Sequence, residues 1–422
     1  MKMKVAALAG LVAMACSPAS FADTIKFECG ASGAGKEYCN YIKQRFETET
    51  SHKLEFVELP PASDEKLGLY QQVFAAKDDK VVDVLSVDVV WVGLLDKHLL
   101  DLTAAFKDQE AQFFPGPWKN NTINGKLKAV PSHVDAGMLF YRKDLLEKYG
   151  EKPPATWDDL TRIATKIQKA ERDAGKKNFN GFVFQGKAYE GLTCDAIEWV
   201  ASYNGGTIID ASGNITINNE KAAKALDMAA GWIGTIAPKG VMGYMEEESR
   251  AVFQNGDALF LRNWPYAYLL GNDEKSPIKG KIGVVPIPKG GADGQNAAAL
   301  GGWQWGVNAY TKSPEAAIAL VKIVTDEATM KKNYIYLGSS PARPSLYSDP
   351  EVLAKGPHLA EFKAVFASAT ARPASATKGQ FPAVSKAFFN AAYDVLSGRA
   401  KGTVAVKDLE GKLKRIKGTE WK

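Results

Sequence analysis

Between residues 24 and 100 the chain alternates short β-patterned runs with helix-patterned ones. The run "TIKFECG" reads as a strand entering a glycine-rich turn, and "KEYCNYIKQRFETETS" spaces Tyr38, Ile42 and Phe46 along one helical face. "KLEFVELP" alternates as a second strand, "KLGLYQQVFAAK" is helical, and "VVDVLSVDVVWVG" is rich in β-branched residues ahead of the helical "LLDKHLL". Strand, helix, strand, helix, strand predicts an α/β lobe on a largely parallel sheet. From Lys126 the pattern restarts: "KLKAVPSHVDAGMLFYRKDLLEKYG" reads as strand, loop, strand and helix. Thr156 then stands as an N-cap ahead of Asp158 and Asp159. Further helices are expected at "TCDAIEWVASYNGG", "NEKAAKALDMAAGWIGTI" and "EEESRAVFQNG", and strands at "DALFLRN", "KIGVVPIP" and "GWQWGVNAYT". The last hundred residues or so are mainly helical, and the basic end of the final helix, Lys412, Lys414, Arg415 and Lys417, reads as a solvated face.

The chain starts with Lys2 and Lys4, an apolar run from Val5 to Ala15, and small residues at Ser20 and Ala22. That is the layout of a secretory leader cleaved after Ala22, which predicts a periplasmic protein. A lipid anchor at Cys16 ranks second, because Ala13 stands where such signals usually carry Leu. No later apolar run reaches the roughly 18 residues that span a bilayer. Removing Lys2 and Lys4 narrows the excess of 53 basic over 48 acidic residues to three, which argues against a nucleic-acid partner. The remaining 400 or so residues exceed one ordinary domain of about 100–200 residues, so two lobes are expected.

Cys29, Cys39 and Cys194 remain after cleavage. Cys29 and Cys39 could close a short disulfide loop in an oxidising compartment, although Cα separation could forbid it; Cys194, in an apolar helical context, reads as a buried thiol. His52, His98, His133 and His358 are scattered singly, so neither a metal site nor a cofactor is expected.

In "AALGGWQWGVN", Trp303 and Trp305 would share one face of a strand, while Gly301 and Gly302 would let something approach the backbone closely. Either both rings are core, or one is a platform for a ligand.

Several segments, in this order, resemble the extracellular solute-binding proteins of ABC importers, in the family that includes maltose- and trehalose/maltose-binding proteins. They are "VVDVLSVDVVWVGLLDKHLLDLT", "KAVPSHVDAGMLFYRKDLLEKYG" with "PPATWDDL", "FQNGDALFLRNWPYAYLL", and "IGVVPIPKG" leading to "ALGGWQWGVNAYTKSPEAA". "YEGLTCDAIEWVASYNGG" and "NWPY" are most similar to the trehalose/maltose branch. The resemblance implies a two-lobed periplasmic binding protein fold with a three-crossing hinge, near Pro131 to Asp135, Trp303 to Asn308 and Ala367 to Arg372. The lobes would comprise residues 23–132 with 307–367 and residues 133–306 with 368–422, behind a leader of residues 1–22.

By the same resemblance the cleft between the lobes would take a sugar. A neutral sugar offers hydroxyls at its edge and apolar C–H faces, so its site needs carboxylates, an arginine and an aromatic wall. Asp88 and Asp135 match the family's acceptors, Arg372 its donor, and Trp264 and Tyr266 of "NWPYAY" would line the cleft. Trp303 would be the stacking platform, with the Gly302 N–H on a sugar oxygen, and Glu37 would be the acceptor from the first lobe. Asp83 is read as structural and Trp305 as core, and His133 departs from the commonest pattern, so no role is carried over to it.

The function implied is that of a monomeric, non-enzymatic receptor that hands an α-glucoside disaccharide such as trehalose or maltose to an ABC permease. Two other readings stay open. One is a secreted glycoside hydrolase using Asp88 and Asp135, which would need carboxyl groups about 5–10 Å apart. The other keeps the fold and changes the ligand to a polyol or a non-sugar solute such as a polyamine, metal or peptide.

Overall fold

The computed structural model describes residues 22–29, 33–359, 362, 365–366, 369–418 and 421. The leader and Cys16, together with Ala367, therefore lie outside the described residues. Eleven strands are described: β1 (Thr24–Glu28), β2 (Lys53–Val57), β3 (Val84–Asp88), β4 (Thr122–Ile123), β5 (Lys126–Leu127) and β6 (Ala129–Ala136), followed by β7 (Met138–Arg142), β8 (Asn180–Val183), β9 (Ala258–Asn263), β10 (Ile282–Pro286) and β11 (Leu300–Val307). They form one five-stranded sheet, β2-β1-β3-β11-β6, one four-stranded sheet, β10-β7-β9-β8, and the small β4-β5 pair. Each larger sheet is the centre of one lobe.

The first sheet is mixed, where alternation alone predicts a largely parallel one. β1 runs parallel to β2 and β3, but β11 is antiparallel to both β3 and β6. The reason is topological: β11 returns from the second lobe and enters the first sheet from the far end. Helices Gly33–Thr50 and Pro314–Val324 pack on this sheet, and Glu327–Leu337 packs on both of them. The second sheet is flanked by Trp157–Asp173 and Glu190–Ser202, and its core is aromatic: the Trp157 and Trp232 rings lie 5.2 Å apart, and Phe184 meets Trp199 edge-on at 5.5 Å. Helix Trp157–Asp173 begins at the residue expected. Thr156 Oγ1 accepts the Asp159 N–H at 3.1 Å while the Asp159 carboxylate accepts the Thr156 N–H at 3.2 Å, a reciprocal cap that contributes about 1 kcal/mol.

The chain passes between the lobes at three adjacent places. β6 belongs to the first sheet and β7 to the second, so the first crossing is at Gly137 and not at Pro131 to Asp135. Proline usually argues against a strand, but β6 is an edge strand, and the register against β11 slips beside Pro131, where Trp303 faces His133 and Gln304 faces Pro131. The second crossing precedes Leu300, earlier than Trp303 to Asn308, because β11 lies wholly in the first sheet. Boundaries at 132/133 and 306/307 therefore cut through β6 and β11. The third passes Thr370. The crossings are laced together: the Gly137 N–H donates to the Ala299 carbonyl at 3.3 Å, and the Leu300 N–H to the Thr370 carbonyl at 2.9 Å.

Under this seam lies a fully buried ion cluster. Arg262 of β9 lies in ion-pair contact with Asp195 at 2.9 Å and donates to Glu198 at 2.8 Å, and Glu198 Oε1 also accepts the Ala299 N–H at 3.0 Å. Gly137 has no room for a side chain, since a Cβ there would fall 1.8 Å from Glu198 Oε1 and 2.6 Å from an Arg262 nitrogen. Gly137→Ala should therefore push apart a pair that has no solvent to retreat to, at a cost of about 3 kcal/mol. A thermal melt of this variant should show a fall of several degrees; a melting temperature equal to the parent's would mean that the ion cluster is not what fixes the first crossing.

Candidate functional site

Asp88 is the last residue of β3, and it faces Trp303 across the β3-β11 pair. Sites in open α/β sheets form outside the carboxyl ends of the strands, and here a cavity of about 210 Å³ opens at that end, between the lobes. Asp88, Asp135, Trp264, Tyr266, Gly302, Trp303 and Arg372 all line it. Glu37 does not: it is exposed on helix Gly33–Thr50 and faces a separate, outer chamber.

The lobes meet at Arg372. Its guanidinium donates to Asp88 Oδ1 at 2.7 Å and to Glu190 Oε1 at 2.9 Å, so it joins the end of β3 to the start of helix Glu190–Ser202. All three side chains are buried. Burial raises the Glu190 carboxyl above its ordinary range, while the Arg372 charge and a hydrogen bond from Ser385 pull it back. The Arg372 Nε–H is buried and has no partner among the described residues. Such a donor needs an acceptor oxygen.

Asp135, on β6, is 8% exposed, and its ionic neighbour among the described residues is His133 at 3.4 Å. This carboxylate faces the cavity with most of its acceptor capacity free.

The two glycines ahead of Trp303 have separate jobs. A Cβ on Gly301 would lie 3.0 Å from the Trp264 ring, so this residue lets an aromatic side chain of the second lobe rest on the first sheet. Gly302 has φ +129, and a Cβ there would meet the His133 carbonyl at 2.7 Å. Only glycine suits both the conformation and the space. Trp303 is half-buried, held edge-on by Trp91 with ring centres 5.4 Å apart, and the Lys66 ammonium stands 4.9 Å from its ring centre. Trp305, expected in the core, is also half-buried: it packs on Phe27 at 4.7 Å and lines the outer chamber. Asp83 is structural, accepting the Lys26 N–H at 2.8 Å and the Thr311 hydroxyl at 2.5 Å.

Tyr189, Glu190 and Glu246 are among the lining residues that escaped the sequence reading. Glu246 accepts from the Tyr189 hydroxyl at 2.6 Å and the Trp264 indole N–H at 3.3 Å, and so fixes two rings of the wall. Arg262 lies beneath Trp264, 4.2 Å from its ring centre. Tyr266 donates to Glu247 at 2.6 Å. The signal that could have found Glu190 is the run "YEGLTCDAIEWVASYNGG", in which it is the second residue. Cys194 also lines the cavity as a free, buried thiol, and burial pushes its pKa well up. Cys29 and Cys39, by contrast, are bridged, with Cα atoms 5.9 Å apart, and tie the end of β1 to helix Gly33–Thr50.

Comparison with known proteins agrees with this architecture. Residues 33–331 match the family model of the bacterial extracellular solute-binding proteins. A probable ABC transporter-binding protein of Deinococcus radiodurans is 46% identical over 421 residues, covering 99% of this chain and 100% of the relative. A maltodextrin-binding protein of Bacillus subtilis is 26% identical over 322 residues, 73% of this chain and 70% of the relative. The maltose-bound MalE3 of T. maritima superposes with a TM-score of 0.88 at 38% identity, covering 94% of this chain and 100% of that one. With two lobes, a three-crossing hinge and an interlobe cavity, the chain belongs to the bacterial extracellular solute-binding protein family.

Proposed function

We propose that this protein is a receptor that captures a sugar between its lobes, outside the cytoplasm, and delivers it as a monomer to an ABC permease. The ligand is an α-linked glucose disaccharide of the trehalose or maltose kind. One observation carries this reading: buried carboxylates and a buried guanidinium share one small cavity with the rings of Tyr189, Trp264, Tyr266 and Trp303. A sugar uses both halves of that arrangement, its hydroxyls donating to Asp135 and accepting from Arg372, and its apolar face resting on Trp303. No metal or cofactor enters this reading.

Capture works by differential contact. Asp88 and Trp303 belong to the first sheet, while Trp264, Tyr266 and Glu190 belong to the second lobe. A ligand that touches both sets binds the closed form better than the open form, and only such a ligand shifts the balance towards closure. Arg372 already links the lobes through Asp88, so little rearrangement is needed at the hinge side of the cavity.

Catalysis is not part of the reading. Asp88 is engaged by the Arg372 guanidinium at 2.7 Å, which supports a binding role for it over membership of a hydrolytic pair with Asp135. Prolonged incubation with maltose or trehalose should release no glucose, and steady release in proportion to protein would overturn the receptor assignment.

Tryptophan fluorescence should report saturable binding when the protein is titrated with trehalose and maltose, because Trp264 and Trp303 both line the cavity. Asp135→Ala removes a charged acceptor and should weaken binding by about 2 kcal/mol, roughly thirtyfold in Kd. Trp303→Ala should have an effect of similar size while the thermal melt stays cooperative. If either variant bound the sugar as tightly as the parent protein, the placement of the ligand in this cavity would be wrong.

A further inference from the structure

The interlobe cavity holds more negative charge than its cations answer. Asp88, Asp135, Glu190 and Glu246 bring carboxylates to it from four separate elements: the ends of β3 and β6, and the starts of helices Glu190–Ser202 and Glu246–Gln254. Among the described residues, Arg372 is the one permanent cation in the lining, and Asp88 and Glu190 share it. The cations just outside are already taken. Lys66, against the Trp303 ring, pairs with Glu28; Arg250 pairs with Glu247; and Arg262, beneath Trp264, pairs with Asp195 and Glu198.

The four carboxylates do not share this imbalance equally. Asp88 is held by Arg372 at 2.7 Å. Glu190 and Glu246 each open a helix, whose amino-terminal end supplies roughly half a positive charge. Asp135 has neither kind of relief. It stands on a strand, is 8% exposed, and has as its ionic neighbour His133 at 3.4 Å, which carries charge only when protonated. Setting the guanidinium and two helix ends against the four carboxylates leaves about two units of negative charge, most of it at Asp135.

A sugar hydroxyl answers such a carboxylate with one donor and no charge. An ammonium in the same place occupies a similar volume, brings three donors and adds direct attraction. The fold has already taken most of the water from Asp135, so the ligand bears only the desolvation of its own ammonium. A ligand carboxylate meets the opposite situation: a like charge in a small cavity with little water to screen it. Building on the sugar-receptor reading, we propose that this cavity selects its ligand by charge: it favours an amino sugar whose ammonium rests on Asp135, takes neutral disaccharides more weakly, and excludes sugar acids.

Isothermal titration calorimetry at pH 7 tests this with trehalose, maltose, their monoamino forms bearing the amine at C2, C3, C4 or C6, and the forms in which one hydroxymethyl group is oxidised to a carboxylate. At least one amino form should bind about tenfold more tightly than its parent sugar, and the carboxylate forms at least about tenfold more weakly. Asp135→Asn keeps the shape and removes the charge, so with a cooperative melt it should bring amino and neutral forms within about threefold of each other. Glu246→Gln removes the other weakly answered charge and should lower the gain by about threefold, which keeps the test from resting on one variant. Amino forms that bind no better than a neutral sugar that does bind overturn the charge selection and leave the sugar receptor standing. A gain that persists undiminished in Asp135→Asn overturns it too, because the charge would then act from elsewhere. Amino forms that bind where neither neutral sugar does support the charge selection and remove the neutral disaccharide as the ligand. If nothing in the series binds, the sugar reading itself falls, and this inference with it.

Discussion

The buried cluster of Arg262, Asp195 and Glu198 is the interaction on which the rest of the molecule turns. Three ionic side chains, each at most 1% exposed, are kept out of water directly beneath the place where the chain changes lobes. Burying charge is unfavourable unless every partner is present, and here the partners are also structural. Glu198 holds the Ala299 N–H of the second crossing, Gly137 of the first crossing is pressed against the pair, and Arg262 supports the Trp264 ring from below. Burial drives the Asp195 carboxyl up, and the Arg262 charge beside it pulls the other way. Such a cluster fixes the first and second crossings in position relative to each other.

Arg372 plays the complementary part at the third crossing. Where Arg262 serves one lobe, Arg372 reaches from one lobe to the other through Asp88 and Glu190. Two carboxylates share one guanidinium, so the cavity beside them keeps an excess of acceptor oxygen, to which Asp135 and Glu246 add. Hydroxyl donors on a ligand answer that excess without introducing charge.

Much of this was legible in the sequence, for identifiable reasons. Helix Trp157–Asp173 announced itself through Thr156 and Asp159, because capping is a local interaction between near neighbours in the chain. Asp88, Asp135, Trp264, Trp303 and Arg372 stood in ordered motifs, and the fold brings them to one cavity. Glu190 was missed because helix Glu190–Ser202 is buried on all sides and carries no polar stripe against which one carboxylate stands out. Glu246 reads as an ordinary acidic residue at a helix start, a position where acids are favoured anyway. Glu37 was placed by its nearness to a glycine-rich turn, and helix Gly33–Thr50 instead leaves it exposed. The direction of β11 and the exact crossings depend on pairings between residues some two hundred positions apart, which no local pattern encodes.

The three cysteines among the described residues have a consequence for how the chain matures. Oxidation of three thiols allows three different single bridges, and a wrong one would join Cys194 to the amino-terminal region across the cleft. Cys29 and Cys39 are separated by only 10 residues and emerge long before Cys194 is synthesised, so their bridge closes a small loop at low entropic cost. Once helix Glu190–Ser202 is packed, burial keeps Cys194 in its thiol form, and a thiol is a poor attacker of an existing disulfide. Order of emergence selects the native bridge, and the packed core then protects it from reshuffling.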